Sequence, residues 1–199
     1  MSQIVIDAQG VKRCQWSIAA PEFLDYHDNE WGRVVTDDCQ LFEKICLEGF
    51  QAGLSWRTIL VKRENFRAAF LHFDIDQLAH FNQHDIERLM LNEGIVRNRR
   101  KIEAVINNAR RAQQLIAEQG SLSDYLWRYK ADPKTAHIPQ SITTSAESIA
   151  MAQDLKNRGW KFIGPTSAFA FMQAMGFIND HLEGCFVREQ LNAPQKPNA

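Results

Sequence analysis

Apolar residues recur at helical spacing along almost the whole chain, and no stretch alternates apolar and polar residues with the β-branched enrichment of a strand. That pattern confines the chain to an all-α class with sheet content near zero. Asp37 or Asp38 is placed to cap a helix in which Leu41, Phe42, Ile45 and Cys46 share one face. Ile102, Val105, Ile106, Ala109, Ala112 and Ile116 stripe a longer helix over 99–118. Ser145 opens another that runs to Arg158 with Ile149, Ala152 and Leu155 inward, and Pro165 suits the first turn of a helix ending at Gly176. Shorter helices are expected over 22–28, 58–70, 74–81 and 85–92 and near Tyr125. Residues 130–144, with Pro133, Pro139 and several hydroxyl side chains, read as a loop. The ends, 1–11 and 191–199, read as flexible, which leaves 12–190 as a single helical domain with room for two lobes.

Charge narrows the possible partners. The net charge of −1 offers no general attraction to a polyanion, so any nucleic-acid binding must come from a local basic patch. Lys161 and the run from Arg97 to Lys101 are the candidates. No basic leader precedes an apolar run at the start, and no stretch approaches the roughly 18 apolar residues of a spanning helix. The expectation is a soluble, cytoplasmic protein with no membrane association. Four cysteines without an export signal suggest thiols that are free or metal-bound, not a disulfide framework.

Two of those cysteines have histidine companions. His181 and Cys185 are four residues apart, which puts them on one side of a helical turn, while Cys14 and His27 lie near the other end of the chain. Two thiolates and two imidazoles form a donor set that suits tetrahedral zinc. Spacing alone leaves two readings open: one metal site, or four unrelated residues. If all four bind one ion, no position remains for an activated water, so the ion is structural and clips the two ends of the chain together. Cys46 sits on an apolar stripe and reads as core.

Two further constellations carry chemistry. Over 155–181 one helix ends at Gly159, a short turn passes through Phe162, Ile163 and Gly164, and a second helix opens at Pro165. Gly164 is expected to supply the unusual backbone angles of the turn, and the free N–H groups beyond it, with Lys161, could cradle a phosphate. The same sequence also fits an ordinary helix corner. Earlier in the chain, Trp16, Tyr26, Trp31 and Trp56 crowd around Glu48, which shares the inward face of Leu41 and Ile45. An inward carboxylate needs donors, from a ligand or from a neighbouring cation. Flat aromatic walls suit an extruded base, although they are equally ordinary core.

The strings YHDNEWG (26–32), ICLEGFQAGLSW (45–56) and FMQAMGFINDH (171–181), followed by Gly184 and Cys185, resemble the 3-methyladenine DNA glycosylase I family of the helix-hairpin-helix glycosylase superfamily. The likeness extends from about Cys14 to Cys185. It implies that Cys14, His27, His181 and Cys185 hold one structural zinc. It also implies that Glu48, Tyr26 and Trp56 hold 3-methyladenine and that Trp16 and Trp31 line the same pocket. Residues 155–176 correspond to the DNA-binding hairpin, with Lys161, Gly164 and Thr166 at its tip, and Leu54 resembles the wedge that fills the gap left by a flipped nucleotide. Relatives in the superfamily place a catalytic aspartate where this chain has Asn179, with Asp180 one place later. The lyase members place a lysine where it reads Pro165-Thr166. The implied activity is monofunctional hydrolysis of the N-glycosidic bond in double-stranded DNA carrying alkylated adenine, the start of base excision repair, with no obligate protein partner.

Two rivals remain at this stage. A zinc deaminase needs H-x-E and P-C-x-x-C, and neither motif occurs. A non-catalytic helix-hairpin-helix DNA-binding protein leaves Glu48 and its aromatic neighbours without a role.

Overall fold

Asp37 and Asp38 divide the start of the first long helix between them. In this computed structural model, which describes residues 3–132 and 137–193, Asp37 is the cap, its carboxylate accepting the Gln40 N–H at 2.8 Å. Asp38 faces away and accepts the backbone N–H groups of Leu122 and Ser123 at 2.9 and 2.8 Å. One acidic pair thus satisfies the orphan donors at the starts of two helices distant in sequence.

The elements run β1 (Ile4–Ile6), β2 (Lys12–Cys14), α1 (Pro21–Asp25), α2 (Asp38–Gln51), α3 (Trp56–Leu60), α4 (Arg63–Ala69), α5 (Ile75–Ala79), α6 (Gln83–Leu91), α7 (Arg99–Gln119), α8 (Leu122–Leu126), α9 (Ala146–Asn157), α10 (Pro165–Ala174) and α11 (Phe186–Asn192). Helix α2 passes through the middle, burying Leu41, Phe42, Ile45, Leu47 and Phe50. Helices α7, α8 and α10 pack on it, and Phe50, Phe66, Phe70 and Phe73 continue the core as a chain of ring contacts. One contiguous cluster of buried side chains extends from Leu41 to Ile178.

The all-α reading holds, with local corrections. Residues 4–14, most of them expected to be loose, pair as a short antiparallel hairpin in which Ile4 faces Cys14. The strands are too short to show alternation. Asp7 forms the turn by accepting from the Gln9 and Val11 N–H groups, and Arg13 ties it down through Asp7 and Asp28. The helix expected over 58–70 is two, α3 and α4, with Ser55 capping the first. In α9 the Ser145 cap is present, but Ile149 is exposed and Met151 takes the inward place. Helix α11 continues to Asn192, past the expected start of the C-terminal tail. Residues 133–136 of the expected loop, and the tail beyond 193, lie outside the described residues.

The turn between α9 and α10 also differs from expectation. Gly164 has φ −95°, an ordinary helix-cap conformation, and the left-handed angles fall at Gly159 (φ +82°) and Phe162 (φ +58°). Helix α7 holds this turn. The Asn108 side chain accepts from the Lys161 N–H at 2.9 Å and donates to the Lys161 carbonyl at 3.0 Å, and Asn107 donates to the Gly159 carbonyl at 2.9 Å. Asn108 is buried, so its loss strands two backbone groups. Asn108→Ala is expected to cost about 2 kcal/mol, read as a fall of roughly 4–8 °C in thermal denaturation.

Candidate active site and metal centre

Tyr26 and His27 are consecutive, yet they serve different sites. Residues Tyr26–Glu30 form a single π-helical turn, closed by the Trp31 N–H donating to the Tyr26 carbonyl at 2.8 Å. The wider turn lets both neighbouring side chains be buried, and such turns favour functional positions.

On one side, Cys14, His27, His181 and Cys185 converge. All four are fully buried, and their ligand atoms lie within 4.8 Å of one another. Cys185 Sγ is 3.5 Å from His27 Nε2 and 3.8 Å from His181 Nδ1, and Cys14 Sγ is 3.9 Å from His181 Nδ1. These separations approach the roughly 3.4–3.8 Å edges of a tetrahedron built on zinc–nitrogen and zinc–sulfur bonds. The outer partners also suit a metal. His27 Nδ1 donates to Asp28 at 2.7 Å and His181 Nε2 donates to the Trp31 carbonyl at 3.0 Å, so each ring turns its other nitrogen into the cluster. Cys14 accepts from the Leu182 N–H and the Gln140 amide, both at 3.3 Å. Hydrogen bonds from Cys14 and then from His181 hold the Cys185 thiol far below its usual range, while Cys14 is raised by sharing a proton with it. The four residues fit a metal ion.

On the other side, Trp16, Tyr26, Trp31, Lys44, Glu48, Gln51, Trp56, Ala170 and Gln173 line an open-mouthed cavity of about 180 Å³. The rings of Trp16 and Trp31 meet edge-to-face at 5.1 Å, and Tyr26 and Trp56 are tilted at 5.4 Å. Glu48 is 5% exposed, as its helical phase requires. Its partner is Lys44, one turn earlier, with Nζ 2.8 Å from Glu48 Oε1. Lys44 Nζ also donates to the Tyr26 hydroxyl at 3.0 Å and lies 3.4 Å from the centre of the Trp56 ring. Burial works against the Lys44 charge, but Glu48 and Tyr26 raise its pKa above the ordinary lysine value. Tyr26 is also raised, first by burial.

The sequence comparison decides the family. A model described as methyladenine glycosylase matches residues 16–189. The chain belongs to the methyladenine glycosylase family. DNA-3-methyladenine glycosylase 1 of Escherichia coli (strain K12) is 44% identical over 179 residues, which span 88% of this chain and 96% of the relative. A crystal structure of a 3-methyladenine DNA glycosylase I superposes with a TM-score of 0.81 at 47% identity, covering 87% and 98% of the two chains. The enzyme from Staphylococcus aureus, solved to show the structural basis of 3-methyladenine recognition, gives 0.83 at 36% identity over 88% and 96%.

In this methyladenine glycosylase family member the remaining expected residues lie apart from the cavity's inner wall. Leu54 is exposed on the loop between α2 and α3, where Gly53 takes φ +79°. Lys101, buried at the start of α7, donates to the carbonyls of Phe50 and Ala52 at 2.8 and 2.5 Å and so holds the root of that loop. Lys161, Gly164 and Thr166 are exposed together at the α9–α10 turn, and a Cβ added at Gly164 would meet no atom within 4 Å. Asp180 is buried and saturated, accepting from His137, the Gln140 N–H and Gln173 at 2.8, 2.9 and 2.5 Å. Sequence reasoning missed Lys44, Gln51, Ala170 and Gln173 in the cavity, and it read Lys101 as part of a basic surface run, whereas burial commits its ammonium to the Phe50 and Ala52 carbonyls. Lys44 alone carried a signal, its i,i+4 spacing to Glu48. No helix among the described residues is long and apolar enough to cross a membrane.

Proposed function

We propose that this protein is a monofunctional DNA-3-methyladenine glycosylase that removes the methylated base from double-stranded DNA and so starts base excision repair. The single observation that carries the proposal is the buried Glu48 carboxylate set among Tyr26, Trp56, Trp16 and Trp31 in one open cavity. Methylation at N3 makes the attached adenine cationic, so the base leaves as a neutral molecule when its bond to the sugar breaks. A strong general acid is then unnecessary. Glu48 accepts hydrogen bonds from the exocyclic amine and ring edge, the aromatic walls hold the flat base, and water attacks the sugar carbon. Saturated hydrogen bonding at Asp180 supports a structural role for that carboxylate rather than a catalytic one.

Zinc is the metal that two cysteines and two histidines fit best, and with its tetrahedron full its contribution is structural. Residues 12–190 act as one glycosylase unit, and the contiguous core supports this. The α9–α10 turn serves as the helix-hairpin-helix, receiving backbone phosphates at Lys161, Gly164 and Thr166, so affinity falls with salt. Action on chromosomal DNA implies a cytoplasmic location, and no protein partner is required. The cavity favours this enzyme over a DNA-binding module without catalysis.

Incubating the protein with methylated duplex DNA and measuring freed 3-methyladenine tests the assignment, and no release above the uncatalysed rate overturns it. Leu54, exposed on the loop between the cavity residues Gln51 and Trp56, is the wedge that replaces lost stacking. Leu54→Gly is expected to slow excision about tenfold, which corresponds to about 1.4 kcal/mol of lost stacking, without lowering affinity for the free base. Equal excision rates in single-turnover assays refute the wedge.

A further inference from the structure

Lys44 is the charged cavity residue that the catalytic scheme leaves without work. Its ammonium makes the two contacts that a cationic purine would make, an ion pair with Glu48 at 2.8 Å and a place 3.4 Å over the face of Trp56. The Tyr26 ring centre is 5.3 Å away and its hydroxyl accepts a hydrogen bond from the same ammonium. Glu48 and Lys44 together are neutral, so the cavity does not present a bare carboxylate to the base.

We propose that Lys44 determines specificity as a built-in competitor for the methylated base: its ammonium holds the Glu48 carboxylate and the Trp56 face, and the base must displace it. This rests on the glycosylase reading above. The chain provides room for the displaced side chain. A second cavity of about 200 Å³ shares Tyr26, Lys44 and Trp56 with the first. Its charged walls are Arg33, Arg63 and Arg67 against Glu30 and Glu43, and both carboxylates are already paired, with Arg63 and Arg67 respectively. Withdrawal into that surplus of positive charge is uphill. A ligand must therefore replace both the ion pair and the ring contact to hold Lys44 away. A cationic methylated purine replaces both. A sound neutral base offers Glu48 hydrogen bonds without charge and leaves the ammonium better placed where it is. After the bond breaks the base is neutral, and the returning ammonium expels it.

The test compares wild type with Lys44→Met, which keeps length and removes charge, and Lys44→Arg, which keeps charge. Free 3-methyladenine is titrated by calorimetry, and the rise in melting temperature with ligand is followed in parallel. Competition predicts that Lys44→Met binds 3-methyladenine about tenfold more tightly. It also predicts a larger ligand-induced rise in melting temperature than in wild type, even though the variant starts from a lower one. In turnover, KM for methylated DNA falls and product inhibition strengthens, while Lys44→Arg stays close to wild type. A lysine that merely shapes the wall predicts the opposite sign, with weaker binding in Lys44→Met. Affinity equal to or below wild type overturns the competitor role and leaves the glycosylase assignment standing. Wild-type protein that neither binds nor releases 3-methyladenine removes both.

Discussion

Replacing Glu48 with alanine is expected to cut release of 3-methyladenine from methylated DNA by at least about 100-fold while the protein stays folded. Two effects act together. The base loses a charged hydrogen-bond acceptor, worth about 1.5–3 kcal/mol. Lys44 meanwhile loses its counter-ion, so a buried ammonium faces a cationic base across the same cavity. Removing one member of a buried pair costs about 3–5 kcal/mol because the other charge is stranded. The melting temperature of Glu48→Ala should therefore fall, and adding Lys44→Met should restore part of it. Glu48→Gln keeps an acceptor but no charge, and belongs between the two. Single-turnover excision with a circular-dichroism check of folding separates activity from stability. Undiminished release by folded Glu48→Ala would mean that the base is read elsewhere.

The position of Glu48 was legible because one helix carries it. Leu41, Ile45 and Glu48 follow the 3.6-residue period, and α2 runs unbroken through all three. The same holds for the Asp37 and Ser145 caps, whose signals lie within four residues of what they bind. The convergence of Cys14 and His27 on His181 and Cys185 was legible only through family motifs, since no local period relates residues at opposite ends of a chain.

What the sequence concealed follows from the same distinction. The family motifs assigned the neighbours Tyr26 and His27 to two sites, but the π-helical turn that lets the backbone bury both is marked by no composition rule. Lys44 on an inward helix face would ordinarily extend to solvent. Tyr26 and Trp56, which hold it, belong to other elements. The α9–α10 turn misled because glycine is the usual sign of left-handed backbone, whereas Phe162 takes that conformation here under the grip that α7 exerts through Asn107 and Asn108. In each case tertiary contacts outweighed a local preference.

Stripping the metal is expected to produce the largest loss of stability. The ion would join Cys14 and His27 to His181 and Cys185 across nearly the whole chain, as a covalent cross-link would, and closing a loop of 100 or more residues is worth about 5 kcal/mol. That corresponds to a fall of roughly 10–20 °C in melting temperature for a domain of this size. Cys185→Ala should reproduce it without a chelator, and metal analysis of the wild type should give one zinc per chain. Activity should fall with it, for a reason visible in the backbone. Trp16 follows Cys14 by two residues, Tyr26 precedes His27, and the Trp31 carbonyl accepts from His181 at 3.0 Å. Three of the cavity's aromatic walls are therefore fastened at the cluster, although none of its four ligands lines the cavity. Chelation should weaken 3-methyladenine binding and excision together, in step with loss of near-ultraviolet circular dichroism from the tryptophans. A catalytic ion would instead abolish excision while leaving base affinity and melting temperature close to those of the intact protein, and that result would overturn the structural assignment.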